Sequence, residues 1–162
     1  MNTASTTTAK TPKRYTLESA NRLVPLLHHM LWSRVQALIK LADLRRKGAR
    51  LANDMDLSSI ELLELGFTTQ DLQETRVSLQ TIESEFASFE VTLDATERRS
   101  VRIPFLFETD RGSMQGGFFV YTLPEEGTPE HAPPQGTINF WYPAGANVTK
   151  PKPLKELPAR KK

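Results

Sequence analysis

The sequence predicts an α+β domain in which a long antiparallel helical hairpin packs on a small three-stranded antiparallel meander. Three observations carry this expectation. Between Tyr15 and Leu51 the apolar residues Ala20, Val24, Leu27, Leu31, Val35, Leu38 and Ala42 recur at steps of four and three, which is the helical period. A second stripe, Leu72, Leu79, Ile82, Phe86 and Phe89, is narrow, roughly 100° wide, as suits a helix packed on one neighbour. After Phe89 the period becomes alternating: Val101, Ile103, Phe105 and Phe107 set one face of a strand inward,.

The first helix starts at Thr16, a suitable N-cap, with Glu18 in the first turn where a carboxylate complements the helix dipole,. Pro25 removes the bond to the Asn21 carbonyl, so the helix either kinks or splits after Val24,. Its apolar arc is wider than one partner helix covers. Leu23, Met30, Leu41, Leu26 and Leu44 extend the stripe on one side, and Ile39 and Trp32 extend it on the other. The C-terminal sheet is the expected cover. Asn53 to Leu65 reads as a cap, Asp56 or Ser58, followed by a short helix that Gly66 stops, with Thr69 capping the next one,.

Charge supports pairing the helices. Arg22 to Arg50 holds seven basic residues beside Asp43, whereas Asp54 to Glu97 holds eleven acidic residues beside Arg76. Beyond the helices, Val91 and Leu93 look like a short strand or an extended entry, and Pro104 marks the first full strand as edge or bulged,. Phe118 to Leu123 and Thr137 to Tyr142 complete the meander, with the proline-rich loop Pro124 to Gly136 between them. Residues 1–13 are expected to be a disordered tail, 14–149 the single domain, and 150–162 an extended basic, proline-rich tail,.

At Tyr15-Thr-Leu-Glu-Ser-Ala-Asn-Arg-Leu-Val-Pro25, Gly117-Phe-Phe-Val-Tyr-Thr-Leu123 and Ile138-Asn-Phe-Trp-Tyr142 the chain resembles an uncharacterised bacterial family, the domain of unknown function numbered 2203. The resemblance implies long charged helices followed by a strand pair ending in an aromatic-Trp step, over about Tyr15 to Leu154. It implies no established activity. Where the family has an Asp before its strands and a His after the Trp, this chain has Arg102 and Tyr142.

Composition narrows the function classes. The 162 residues are 38% apolar and 25% charged, which is the length and composition of one domain,. The net charge of +2 is uneven: residues 1–14 and 150–162 carry nine basic residues and one acidic, leaving 12 basic and 18 acidic between Tyr15 and Thr149. Nucleic-acid contact is therefore expected at most weakly, through the basic tails. With no cysteine, disulfides, thiolate metal sites and cysteine nucleophiles are excluded,. No stretch approaches the ~20 apolar residues of a membrane-spanning helix, and the expected compartment is the cytoplasm.

No catalytic set stands out, and no cofactor or metal is expected. His28 and His29 are adjacent on a helix and point about 100° apart,. His131 sits in the proline-rich loop. Asp54, Asp56 and Ser58 match the start of a calcium loop, but Ser59 and Leu65 occupy the positions needing glycine and glutamate,. Gln115 to Thr122 is similar to the aromatic strand of an RNA-recognition sheet without its basic and aromatic key positions,.

The candidate ligand or partner residues are Arg34, Arg98, Arg102, Trp141 and Tyr142. Arg34 falls inside the apolar stripe of the first helix and needs a carboxylate, for which Glu83 is the candidate. Arg98, Arg99 and Arg102 form a basic cluster. Phe118, Tyr121, Trp141 and Tyr142 cannot all face inward on alternating strands, so aromatic surface should remain for a partner. The expected function is a non-enzymatic protein-interaction or self-associating module. The alternative is a hydrolase or small-anion site between sheet and long helix, built on Arg34 and Arg102.

Overall fold

The computed structural model describes residues 13–54, 56–94, 98–124, 138–145 and 150–158. The expectations for residues 1–12, for the Pro124–Gly136 loop with His131 beyond Pro124, and for 159–162 lie outside the described residues. The described residues form two long helices, α1 (Leu17–Ala52) and α2 (Ser59–Ser88). A five-stranded antiparallel sheet follows: β1 (Thr92–Leu93), β2 (Ser100–Glu108), β3 (Met114–Thr122), β4 (Phe140–Pro143) and β5 (Lys152–Pro153). The strands lie in sequence order, a meander throughout. It has five strands rather than the three expected, because two short segments extend it at either edge.

At one edge, β1 pairs through Thr92 with Arg102 and Leu93 with Val101. At the other, β5 pairs through Lys152 with Trp141 and Pro153 with Phe140. The second addition differs from the extended tail expected from residue 150 onward, since residues 152–157 pair with β4 and pack on the core. Leu154 donates its N–H to the Asn139 carbonyl at 2.9 Å, and Leu154 and Leu157 pack on the core. Two leucines spaced by one 3-10 turn supply apolar surface that outweighs the charges between them,.

α1 begins as expected. Thr16 accepts from the Ser19 N–H and the Ser19 side chain answers at the Thr16 N–H, a reciprocal cap,. The helix runs through Pro25 without splitting, and Pro25 lies on its exposed side. Tyr15, just before it, ties three elements together. Its N–H donates to the Pro104 carbonyl at 2.9 Å, and its hydroxyl donates to the Phe89 carbonyl at 2.8 Å. Pro104 is placed at an edge: β2 pairs with β3 without a bulge, and β1 ends before reaching Pro104,.

α2 overturns the reading of two helices separated at Gly66. Ser58 caps it, with Glu61 returning the bond, and the helix continues through Gly66 and Thr69 to Ser88. Thr69 bonds back to the Leu65 carbonyl at 2.9 Å as an interior helical residue. A glycine costs an exposed helix about 1 kcal/mol relative to alanine, and packing on both sides outweighs that. Lys47 pairs with Glu64 at 2.7 Å before Gly66, and after it the buried Thr68 lies so near Gly48 that a β-carbon added to that glycine would stand 3.6 Å from the threonine methyl group. Glu90, at φ 57°, ends the helix by turning left-handed, and the Val91 N–H then closes on the Phe86 carbonyl at 3.2 Å,.

The helices meet along one seam. From α2 it uses Leu65, Thr68, Leu72, Thr75, Leu79, Ile82, Phe86 and Phe89, at alternating steps of three and four, none of them exposed,. From α1 it uses Met30, Arg34, Ala37, Leu41, Leu44, Gly48 and Leu51 in the same rhythm. The sheet covers only part of this hairpin. The core cluster joins Ala20, Val24, Leu27, Met30 and Leu31 of α1 and Phe86 of α2 to the inward residues of β2, β3 and β4. Among the described residues, no part of α1 beyond Val35 and no part of α2 before Ile82 belongs to that cluster. A 36-residue helix is about 54 Å long, against about 30 Å for a nine-residue strand, so the hairpin outruns the sheet as a two-helix arm,. Of the surplus arc on α1, Trp32 packs on the core and Leu44 is half-buried, but Leu26 and Ile39 stay exposed.

Candidate functional site

Strand alternation divides the sequence-derived site residues between two faces. Arg102 pairs with Val120, and Phe118 with Tyr142, which puts Arg102 and Tyr142 on the sheet face away from the helices. The Arg102 guanidinium lies 4.8 Å from the Tyr142 ring centroid, and its Nε and Nη2 donate to one Asp94 oxygen at 3.1 and 3.0 Å. Asp94 is buried, and the clasp closes over Val120, which is 7% exposed. The cation is thus already held by a carboxylate and an aromatic face.

Trp141 lies on the opposite face and is part of the core. It meets Phe107 edge-on at 5.1 Å and Phe105 at 6.1 Å. This corrects its reading as partner surface: the alternation that turns Tyr142 outward turns Trp141 inward. Exposed aromatic surface remains instead at Phe140, 45% exposed on the outer face. Arg34 finds Glu83, as the sequence suggested, at 3.5 Å, and its Nη1 donates to the Arg98 carbonyl at 3.4 Å. The Arg98 side chain itself is exposed. Arg34 and Arg102 therefore sit on opposite sides of the sheet and do not converge on one cleft. A cavity of about 340 Å³ lies beside the start of α1, walled by Tyr15, Leu17, Phe105, Phe107, Met114 and Leu157. Neither arginine lines it. Among the described residues, no three His, Cys, Asp or Glu side chains gather as a metal site.

His28 links α1 to the sheet. Its Nδ1 lies 2.8 Å from the Tyr121 hydroxyl, which donates to it when the ring proton is on Nε2,. Burial, and then the neighbouring His29, push the His28 pKa below 6.5, while burial raises that of Tyr121 to about 12. Tyr121 therefore keeps its proton throughout. The folded state disfavours the imidazolium, so as pH falls through 6.5 the unfolded chain takes up the proton first,. The contribution of His28 is complete above 6.5, falls below it, and levels off beneath the lowered folded pKa,. The urea midpoint is expected to drop between about pH 7.5 and about pH 5, and His28→Gln is expected to reduce that drop. An equal drop in both proteins would place the titration elsewhere.

Among the described residues, the most exposed large apolar side chains lie on the arm. Ile60, Leu63 and Phe67 are 77%, 64% and 65% exposed. Their steps of three and four set them on one side of α2, about half a turn of the helix from the seam with α1. Leu62, on another side of the same segment, is 57% exposed. The short helix expected over Asn53 to Leu65 drew its apolar surface from Ile60, Leu62, Leu63 and Leu65, and of these only Leu65 turns to the seam while the other three are exposed. The missed signal was continuity through Gly66, which carries the stripe from Leu63 to Phe67. Comparison of the chain with protein-family models, curated proteins and solved structures finds no match.

Proposed function

We propose that this chain is a non-enzymatic protein-interaction module whose contact surface is the outer side of α2 on the projecting arm. The observation that carries the reading is the exposed row Ile60, Leu63 and Phe67, on a surface the sheet never reaches. Scattered exposed apolar residues are ordinary, but three large ones in a row on a single helix face mark a contact. Their burial removes on the order of 400 Å² from water, a gross gain of roughly 10 kcal/mol against an association cost of about 4–15 kcal/mol. The contact is therefore weak and reversible without help from charge. The resemblance at Tyr15 to Pro25 is our proposed family link, and it brings no activity with it.

A photo-crosslinking residue placed at Phe67 in the native cell tests the reading. It is expected to form an adduct of defined mass, while the same residue at exposed Gln80 forms none. Absence of an adduct at Phe67 would remove the proposal.

A further inference from the structure

The outer sides of the two arm helices differ in size and in sign. On α2 the row Ile60, Leu63, Phe67, Gln70, Glu74 and Val77 keeps a spacing of three and four, and every member is exposed. Its apolar members are large, and Asp71 flanks it, whereas Glu64 beside it already pairs with Lys47 of α1. α1 carries a matching row in Ile39, Ala42, Arg46 and Ala49, again at steps of three and four and again exposed. This row continues the line of Trp32 and Val35, which the core covers. Past the sheet it holds Ile39, two alanines and Arg46, which pairs with Asp43, and the charge beside it stays positive through Arg45 and Arg50.

One row is bulky and acidic, the other slight and basic, and they point away from each other on the same arm. We infer that the outer row of α2 docks on the outer row of α1 in a second copy of this chain, a conclusion that rests on the interaction-module reading above. Large side chains then enter the gaps over Ala42 and Ala49, and Glu74 and Asp71 approach basic residues. The alternative, α2 on its own two-fold copy, places bulk against bulk and brings the Asp71 and Glu74 carboxylates of both copies onto one contact, which like-charge repulsion opposes. Because the two surfaces are different, the contact is head-to-tail. It leaves one free face of each kind at the ends, so assemblies lengthen with concentration. Added salt screens the opposite charges and shortens them.

Two single variants and their mixture decide the matter by light scattering or sedimentation. Phe67→Asp spoils the α2 row and Ala42→Glu spoils the α1 row by bulk and charge. Both positions are exposed, and unchanged melting curves establish that the variants fold,. Wild type is expected to rise above its 18.3 kDa monomer mass as concentration increases across the micromolar range. Each variant alone is expected to remain monomeric, and an equimolar mixture is expected to form a one-to-one complex and nothing larger, since each supplies the face the other lacks. Dimers of Ala42→Glu alone would overturn the head-to-tail contact in favour of α2 on α2. A wild type that is monomeric at every concentration would overturn self-association. In that event an adduct at Phe67 with a different protein leaves the interaction module standing, whereas no adduct at all removes both.

Discussion

Phe119→Ala is expected to lower the unfolding free energy by about 3–5 kcal/mol, the range for truncating a fully buried aromatic ring. Phe119 is 2% exposed and stacks on Phe105 with ring centroids 4.0 Å apart and planes inclined by 9°. Phe105 is held in turn by Phe107 at 5.7 Å and Trp141 at 6.1 Å, so the stack is the middle of an aromatic cluster joining β2, β3 and β4. Removing the ring deletes its own transfer free energy and leaves a space that stiff aromatic neighbours fill poorly. Domain stabilities are about 5–15 kcal/mol, so a large share of the total is at stake. Equilibrium unfolding in urea checks it. A loss below about 1 kcal/mol is incompatible with the ring being packed on both sides.

Gly117→Ala is expected to cost about 2–3 kcal/mol, the upper part of the range for overpacking a tight site. A β-carbon there would lie 2.8 Å from Cε1 of Phe105 and 2.8 Å from the backbone oxygen of Tyr142. The ring can turn aside only by leaving its stack on Phe119. The oxygen can move only by disturbing the pairing of β3 with β4, where Gly117 faces Pro143. Neither escape is cheap. The same denaturation experiment measures the loss, and the companion variant Gly66→Ala is a control, because nothing lies within 4 Å of a β-carbon at that helical position. If the two glycine variants change stability alike, backbone propensity rather than the close approach governs position 117.

The helices and the central strands were legible because their periods are local. The seam of α2 from Leu72 to Phe89 and the inward set of β2 both follow from the order of residues alone, as does the need of Arg34 for a carboxylate. What misled was punctuation. Gly66 looked like a stop because glycine weakens a helix, yet contacts from α1 on both sides of it sustain the helix. Lys150 onward looked like an extended tail because of its charges and prolines, yet Leu154 and Leu157 dock it beside β4. The site residues divided in the same way. Arg102 and Tyr142 come together through a register that no single segment encodes, whereas Trp141 is taken into the core by its parity on β4.

By itself the sequence determined an α+β chain with a basic helix followed by an acidic one and an alternating C-terminal half, since side-chain period and charge are properties of neighbouring residues. Only the tertiary structure decided that the sheet stops short of the hairpin's end, leaving Ile60, Leu63 and Phe67 bare on one side of the arm and Ile39, Ala42 and Ala49 bare on the other. The physical reason is that burial depends on how far one element reaches along another, and helix rise, strand length and packing register set that reach only when the segments meet.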